Sequence, residues 1–200
     1  MTLGSHQTTV GKSQVHITPK WVCEPFDADL DPCANDPMPW PCARESYSLP
    51  QDGLALPWHG FVWLNPPFER YGVARWIEKL AAHGNGIALL HARTETDWFR
   101  PCWRHASAML FLSQRLIFHK FDGSPQTISN PSSKHFGKPA NSGAPVVLVA
   151  FGQAARARLQ RSGIPGFLVT EWWEQGRVPH MRIEPWGSEG AIHVEGSKGR

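Results

Sequence analysis

The sequence predicts an α/β fold built on one sheet that is mostly parallel, with an antiparallel pair of strands at its edge. Apolar runs of strand length at 61–64, 86–90 and 145–151 show no polar alternation, which is typical of strands buried on both faces. Segments with helical spacing lie between such runs, and alternating strands and helices favour a parallel sheet. The chain has 200 residues, enough for one domain with a substantial core.

The first predicted elements follow a loose tail over residues 1–15. Thr18 is suited to cap a helix that begins at Pro19, because a threonine hydroxyl accepts from free helix amides and proline needs no donor at the first helical position. Residues 26–34 are predicted to form a strand that runs into a turn. Four prolines predict a loop over 35–50, and Asp52-Gly53-Leu54 is a turn signal.

The later elements are a helix over 73–82, a strand over 86–90, a partly helical stretch over 97–105 and one or two strands over 108–118. A long loop rich in Ser, Gly, Pro and Asn is predicted over 120–145. A strongly apolar strand closes this series. We therefore predict one domain over residues 16–152 and a C-terminal extension over residues 153–200 that packs on the same domain.

Positive charge is concentrated in one part of the chain, although the net charge of +3 is mild. Residues 93–138 contain seven Lys or Arg and three Asp or Glu, a net charge of +4, which leaves −1 for the rest. A basic segment of this kind suits contacts with phosphates. The alternative interpretation is a solvated face with a local excess of charge.

Cysteine spacing and hydropathy argue against a membrane protein, a disulfide-rich protein and a metal-binding module. No apolar stretch approaches the roughly 20 residues of a membrane span, and the N-terminus has no apolar signal-peptide core. We therefore expect no membrane partner, an intracellular location and no disulfide framework. A zinc site from Cys23, Cys33, Cys42 and a histidine is an alternative, but its spacing matches no common ligand pattern, so no metal is predicted.

The most informative motif is Asn65-Pro66-Pro67-Phe68, which directly follows the apolar run 61–64. Two prolines fix φ and remove two backbone donors, so the loop is stiff and rich in acceptors. The Asn65 side-chain oxygen and the Pro66 carbonyl are suited to accept from one flat amino group, and Phe68 to stack on the ring that carries it. A rigid strand-to-helix turn is the structural alternative.

An ordered set of motifs in this chain resembles the phage-type DNA N-6-adenine methyltransferases, which depend on S-adenosylmethionine. In order, the matching pieces are Thr18-Pro19, LDPCA at 30–34, Asp52-Gly53-Leu54, WLNPPF at 63–68, TETDWF at 94–99 and RLIF at 115–118. The resemblance implies a Rossmann-like methyltransferase sheet and methylation of adenine in DNA. It also implies S-adenosylmethionine as cofactor, no obligate protein partner, and the cytoplasm of a bacterial or phage-infected cell.

The resemblance also implies roles for individual residues. The catalytic loop is Asn65, Pro66, Pro67 and Phe68, and the cofactor is expected near Thr18, Pro19, Asp31, Pro32 and Asp52. Acidic side chains there can accept from ribose hydroxyls or amino groups. The substrate-binding residues are Phe68, Arg93 and Arg115. Turn capping for both aspartates, and exposed surface positions for both arginines, are the alternatives.

One departure keeps other functions open. Many amino-methyltransferases have a glycine-rich turn after the first strand, whereas here the residues after Asp31 are PCANDPMPWPC. Because glycine lets the backbone approach a cofactor closely, this chain must build its pocket otherwise. The alternatives are an amino-methyltransferase acting on cytosine N-4 or on RNA, and a non-catalytic nucleic-acid-binding protein of the same fold.

Overall fold

The computed structural model describes residues 16–68 and 72–172, so the predicted tail and most of the predicted extension lie outside the described residues. The strands are β1 Ala28–Asp31, β2 Ala43–Ser46, β3 Val62–Leu64, β4 Gly86–His91, β5 Ala108–Leu112, β6 Val146–Phe151 and β7 Gly166–Val169. The α-helices are α1 Lys20–Cys23, α2 Val73–His83, α3 Arg100–His105 and α4 Gln153–Arg161. Most predicted elements are present within a residue or two of their expected bounds.

The strands form one mixed sheet in the order β2-β1-β3-β4-β6-β5-β7, which confirms the α/β class. The first four strands in that order are parallel to one another, and β6 runs antiparallel to both β4 and β5. The predicted antiparallel pair, β5 with β6, is therefore present. It does not lie at the edge, because β7 pairs with the far side of β5 and takes that position.

Strand direction brings many loops to one side of the molecule. Strands β1 to β5 all run the same way, so their carboxyl ends meet at a single edge of the sheet, here called the carboxyl edge. The loop from 113 to 145 also lies there, because it leaves the end of β5 and returns at Val146, the first residue of β6. Val146 is paired with His91, the last residue of β4.

Both faces of the sheet are covered, which is why its central strands show no polar alternation. One face packs on α2 and α3 and the other on α1 and α4. Neighbouring residues of β3 point to opposite faces, with Trp63 in one core cluster and Leu64 in the other. This double layer holds the carboxyl edge rigidly in place.

One sequence prediction of local structure was wrong, and one that left two possibilities open is decided by the structure. The predicted loop over 35–50 contains β2, whose residues from Arg44 to Ser46 are exposed and so show no apolar pattern. Backbone pairing with β1 and ion pairs from Arg44 to Asp27 and Asp29 define that strand instead. Of the one or two strands predicted over 108–118, one is present as β5. Leu116 and Phe118 are buried in an irregular segment after it.

The expectation of no disulfide was also wrong. Cys23 at the end of α1 and Cys42 just before β2 are bonded to each other, with their Cα atoms 5.4 Å apart. Their separation in sequence carries no sign of this, because the fold of the intervening β1 brings them together. The bond also removes two ligands from the alternative zinc site. Among the described residues no three His, Cys, Asp or Glu side chains converge as a metal site.

None of the helices in residues 16–68 and 72–172 has the length and apolar character needed to cross a membrane.

Candidate functional site

The carboxyl edge gathers the residues that the sequence predicts to be functional. Each parallel strand from β1 to β5 ends in one of them or is followed by one or more of them there. In chain order these residues are Asp31, Asp52, Asn65 with Phe68, Arg93 and Arg115. In open α/β sheets ligands bind beyond the carboxyl ends of the strands, so this edge is the candidate site.

The amide of Asn65 is held in one orientation. Its Nδ2 donates to the His16 carbonyl oxygen at 3.0 Å and to the Thr18 Oγ1 at 3.2 Å. A carbonyl oxygen can only accept, so the nitrogen must face His16 and the oxygen must face away. Asn65 Oδ1 is buried and has no hydrogen-bond partner among the described residues. A buried acceptor without a partner is costly in a folded protein and marks a place where a donor is expected to bind.

Thr18 does not cap a helix, so the prediction of a helix-capping role was wrong. The residue preceding α1 is Pro19, and no side chain caps that short helix. Thr18 is 3% exposed, and its hydroxyl accepts from the Asn65 amide while its carbonyl accepts from the Trp40 indole at 2.9 Å. Residues 16–18 thus cross the end of β3 as a strap, which pairs with His119 through Ile17.

Asp31 is a buried carboxyl group at the end of β1, with only 4% of its surface exposed. Burial raises its pKa to about 7, although hydrogen bonds from Cys33 oppose the shift, including the one that the Cys33 amide donates at 3.1 Å. The Cys33 thiol in turn donates to the Asn65 carbonyl oxygen at 3.3 Å. The turn after β1 and the loop after β3 are therefore tied together, and each presents an acceptor.

These acceptors line the same small cavity. It holds about 10 Å³, and its wall includes His16, Thr18, Asp31, Cys33, Met38 and Asn65. That volume accommodates about one water molecule. Pro19 and Pro32 are buried beside it without lining it. A nucleoside-sized ligand would therefore enter only after the strap or the 33–42 turn has moved.

Asp52 lies near this cavity but does not reach it. Its side chain is exposed and accepts from the Leu54 amide at 2.9 Å. Asp52 therefore caps its own turn, which is the alternative role that the sequence left open for it. The neighbouring Gly53 packs directly on the turn after β1. A Cβ added at Gly53 would lie 1.8 Å from the Pro32 carbonyl oxygen. The two turns thus touch through a contact that only glycine permits.

Replacing Gly53 by alanine is expected to push the 52–54 turn away from Pro32. We expect Gly53→Ala to lower the free energy of unfolding by about 2–3 kcal/mol, because the clash is with backbone rather than with a flexible side chain. Urea unfolding measures the change. Gly72→Ala is the matched control, since a Cβ there meets no atom within 4 Å. Equal stability of the two variants would contradict the close packing.

Phe68 is already stacked on a ring of the protein. Its ring and that of His91 have centroids 4.2 Å apart and planes inclined by 13°. Burial lowers the pKa of His91 to about 4, and the positive charges of Arg93, His16 and Arg115 add to the effect. Phe68 therefore contacts a histidine that the sequence prediction omitted, and the exposed Arg93 and Arg115 act on that histidine through their charge.

Three residues at the site were missed. His91 is the polar residue that ends an apolar strand, a signal close to the one that drew attention to Asn65. Cys33 lies inside the LDPCA turn, but its role depends on the hydrogen bond from its thiol to the Asn65 carbonyl oxygen, which the sequence does not show. His16 carries no signal in sequence, because its role depends on a contact with a residue 49 positions away.

Comparison of the chain with family models, with curated proteins and with solved structures gives no match.

Proposed function

We propose that this chain is an S-adenosylmethionine-dependent methyltransferase that acts on the exocyclic amino group of adenine in DNA. The observation that carries the proposal is the state of Asn65. Its amide nitrogen is occupied by His16 and Thr18, while its oxygen is buried and unpartnered among the described residues. This is the arrangement that a group accepting from a substrate amine needs before the substrate arrives.

The chemistry assigned to the loop is positioning and charge stabilisation. Asn65 Oδ1 and the Pro66 carbonyl oxygen accept the two hydrogens of the amine, which favours a more pyramidal nitrogen with an available lone pair. S-adenosylmethionine, held beside Asp31 and the turn after β1, would supply the methyl group. Asn65 and Pro66 would hold the amine nitrogen that receives it, and that nitrogen would give one proton to water. Pro67 fixes the shape of the loop.

The acceptor groups at the cavity fit this cofactor in character. Asp31 and Asn65 both present oxygen acceptors, and Asp31 carries a negative charge above its pKa of about 7. A buried carboxylate suits a cationic or amine-bearing ligand. The cavity volume of 10 Å³ requires the strap or the 33–42 turn to open first. Conformational closure over bound substrate is common where water must be excluded from the reacting atoms.

DNA as the substrate is supported by charge and by topology. The basic segment 93–138 supplies Arg93, Arg115 and much of the long loop that begins and ends at the carboxyl edge. Phosphate contacts there would hold the nucleic acid over the site. An enzyme that acts on a base edge must take the base out of the stack, and an aromatic side chain such as Phe68 then replaces the lost stacking.

Transfer of labelled methyl from S-adenosylmethionine to nucleic acid tests the proposal. The chain is incubated with duplex DNA of mixed sequence, with DNA lacking adenine, and with RNA, and the methylated nucleosides are identified by chromatography. We expect label on adenine of the DNA alone. Label on cytosine or in RNA would overturn the assignment of substrate. No transfer and no cofactor binding by calorimetry would favour a non-catalytic nucleic-acid-binding protein instead.

A further inference from the structure

Two rings stack at the point where neighbouring strands leave the sheet. His91 is the last residue of β4, and Phe68 belongs to the loop after β3. Their centroid distance of 4.2 Å and inclination of 13° describe direct face-to-face contact. A third ring between them would need about twice that spacing, so an adenine base can use only the opposite face of Phe68.

The two rings differ in how firmly they are held. The backbone of His91 is part of β4 and pairs there with Val146 of β6. Phe68 lies on the loop after β3, outside any strand or helix. A side chain on a rigid strand can therefore set the plane of a side chain on a loop, whereas the reverse is not expected.

Charge does not hold this stack together. Burial, and the positive charges of Arg93, His16 and Arg115, keep the pKa of His91 low, so its ring is neutral at physiological pH. No hydrogen bond to either ring nitrogen of His91 is found within residues 16–68 and 72–172. The contact that remains is the stacking of a flat neutral ring on Phe68, which another aromatic residue could supply.

We infer that His91 is a substrate-positioning residue, which holds the ring of Phe68 in the plane that receives the target adenine on its free face. The inference rests on the proposed function and adds a residue to it. The resulting order is His91, Phe68 and then the base, with the amino group of the base directed to Asn65. Loss of His91 would leave Phe68 free to rotate and the amine misaligned with its acceptor.

Three variants separate the ring from its nitrogens. His91→Phe keeps a flat ring, His91→Asn keeps a hydrogen-bonding group without a ring, and His91→Ala removes both. We expect kcat for methyl transfer to mixed-sequence duplex DNA to fall about 10-fold in His91→Ala and His91→Asn, the size of an aromatic pair contribution, and to be largely restored in His91→Phe. Cofactor affinity by calorimetry should stay at the wild-type value in all three, which a general loss of structure would not allow.

A second measurement does not depend on turnover. Binding of a fluorescent single-stranded oligodeoxyadenylate should weaken in His91→Ala and recover in His91→Phe. Wild-type kcat and oligonucleotide affinity in His91→Ala, or a His91→Phe variant as impaired as His91→Ala, would overturn the inference. A wild-type protein that transfers no methyl group but shows this binding pattern would refute the proposed catalysis and leave the stacking role intact. Absence of oligonucleotide binding by the wild type would refute both.

Discussion

Asn65→Ala is expected to reduce methyl transfer by on the order of 100- to 1000-fold, the loss typical of removing one preorganised hydrogen-bonding group from a reacting centre. The physical reason is the fixed amide. Its nitrogen is committed to the His16 carbonyl and the Thr18 hydroxyl, so its oxygen is aligned without any cost at the moment of reaction. Alanine removes the acceptor and also the two hydrogen bonds to the strap, so cofactor affinity and stability must be measured beside the rate.

The control for this variant is Asn85→Ala. Asn85 lies just before β4, at the opposite edge of the sheet, and its amide donates to the Gly60 carbonyl oxygen at 2.8 Å. The same chemical change there should leave transfer near the wild-type rate. Steady-state rates, cofactor affinity and thermal unfolding are measured for both variants. Full activity of Asn65→Ala, or equal losses in the two variants, would refute the role assigned to Asn65.

The site was predictable to the extent that local sequence defines it. An apolar run followed directly by Asn-Pro-Pro-Phe predicts both a buried strand and a stiff loop at its end, and both are present. Parallel strands bring their carboxyl ends together, so the proximity of Asp31 and Asn65 also follows from pattern alone. The Cys33 thiol, which links the two loops, completes this proximity at the atomic level.

Contacts between distant segments were not predictable. The strap over Asn65, the disulfide from Cys23 to Cys42 and the stack of Phe68 on His91 all join residues that no local pattern relates. Strand β2 was not predicted for another reason. It is held by backbone pairing and by ion pairs at the surface, so it lacks the apolar periodicity that reveals a buried strand.

Asp31→Asn is expected to make the protein more stable at alkaline pH. A carboxyl group whose pKa rises from 3.8 to about 7 on folding is protonated more easily in the folded than in the unfolded state. Stability is therefore highest below the unfolded pKa, falls as the pH rises between the two values and stays reduced above pH 7. At 1.36 kcal/mol per pKa unit the ionised carboxylate costs roughly 4 kcal/mol above pH 7.

Removing that charge should raise the free energy of unfolding by roughly 2–4 kcal/mol at pH 8 and change it little at pH 4. Asp29→Asn is the matched control on the same strand and should show the opposite sign. Asp29 accepts from the Phe61 amide at 2.7 Å and pairs with Arg44, so its pKa is lowered and its ionised form stabilises the fold. Urea unfolding at the two pH values measures both effects.

We expect the buried Asp31 carboxyl group, which destabilises the fold, to contribute to cofactor binding. If Asp31 receives a cationic or amine-bearing cofactor, S-adenosylmethionine should bind more tightly as the pH rises through about 7, where the carboxylate becomes charged. Asp31→Asn should abolish that pH dependence and weaken binding while the fold gains stability. Such a trade is expected where a site is kept strained for function. An Asp31→Asn variant that binds the cofactor as well as the wild type would show that Asp31 has no part in binding. A variant that is less stable at pH 8 would contradict the raised pKa of Asp31.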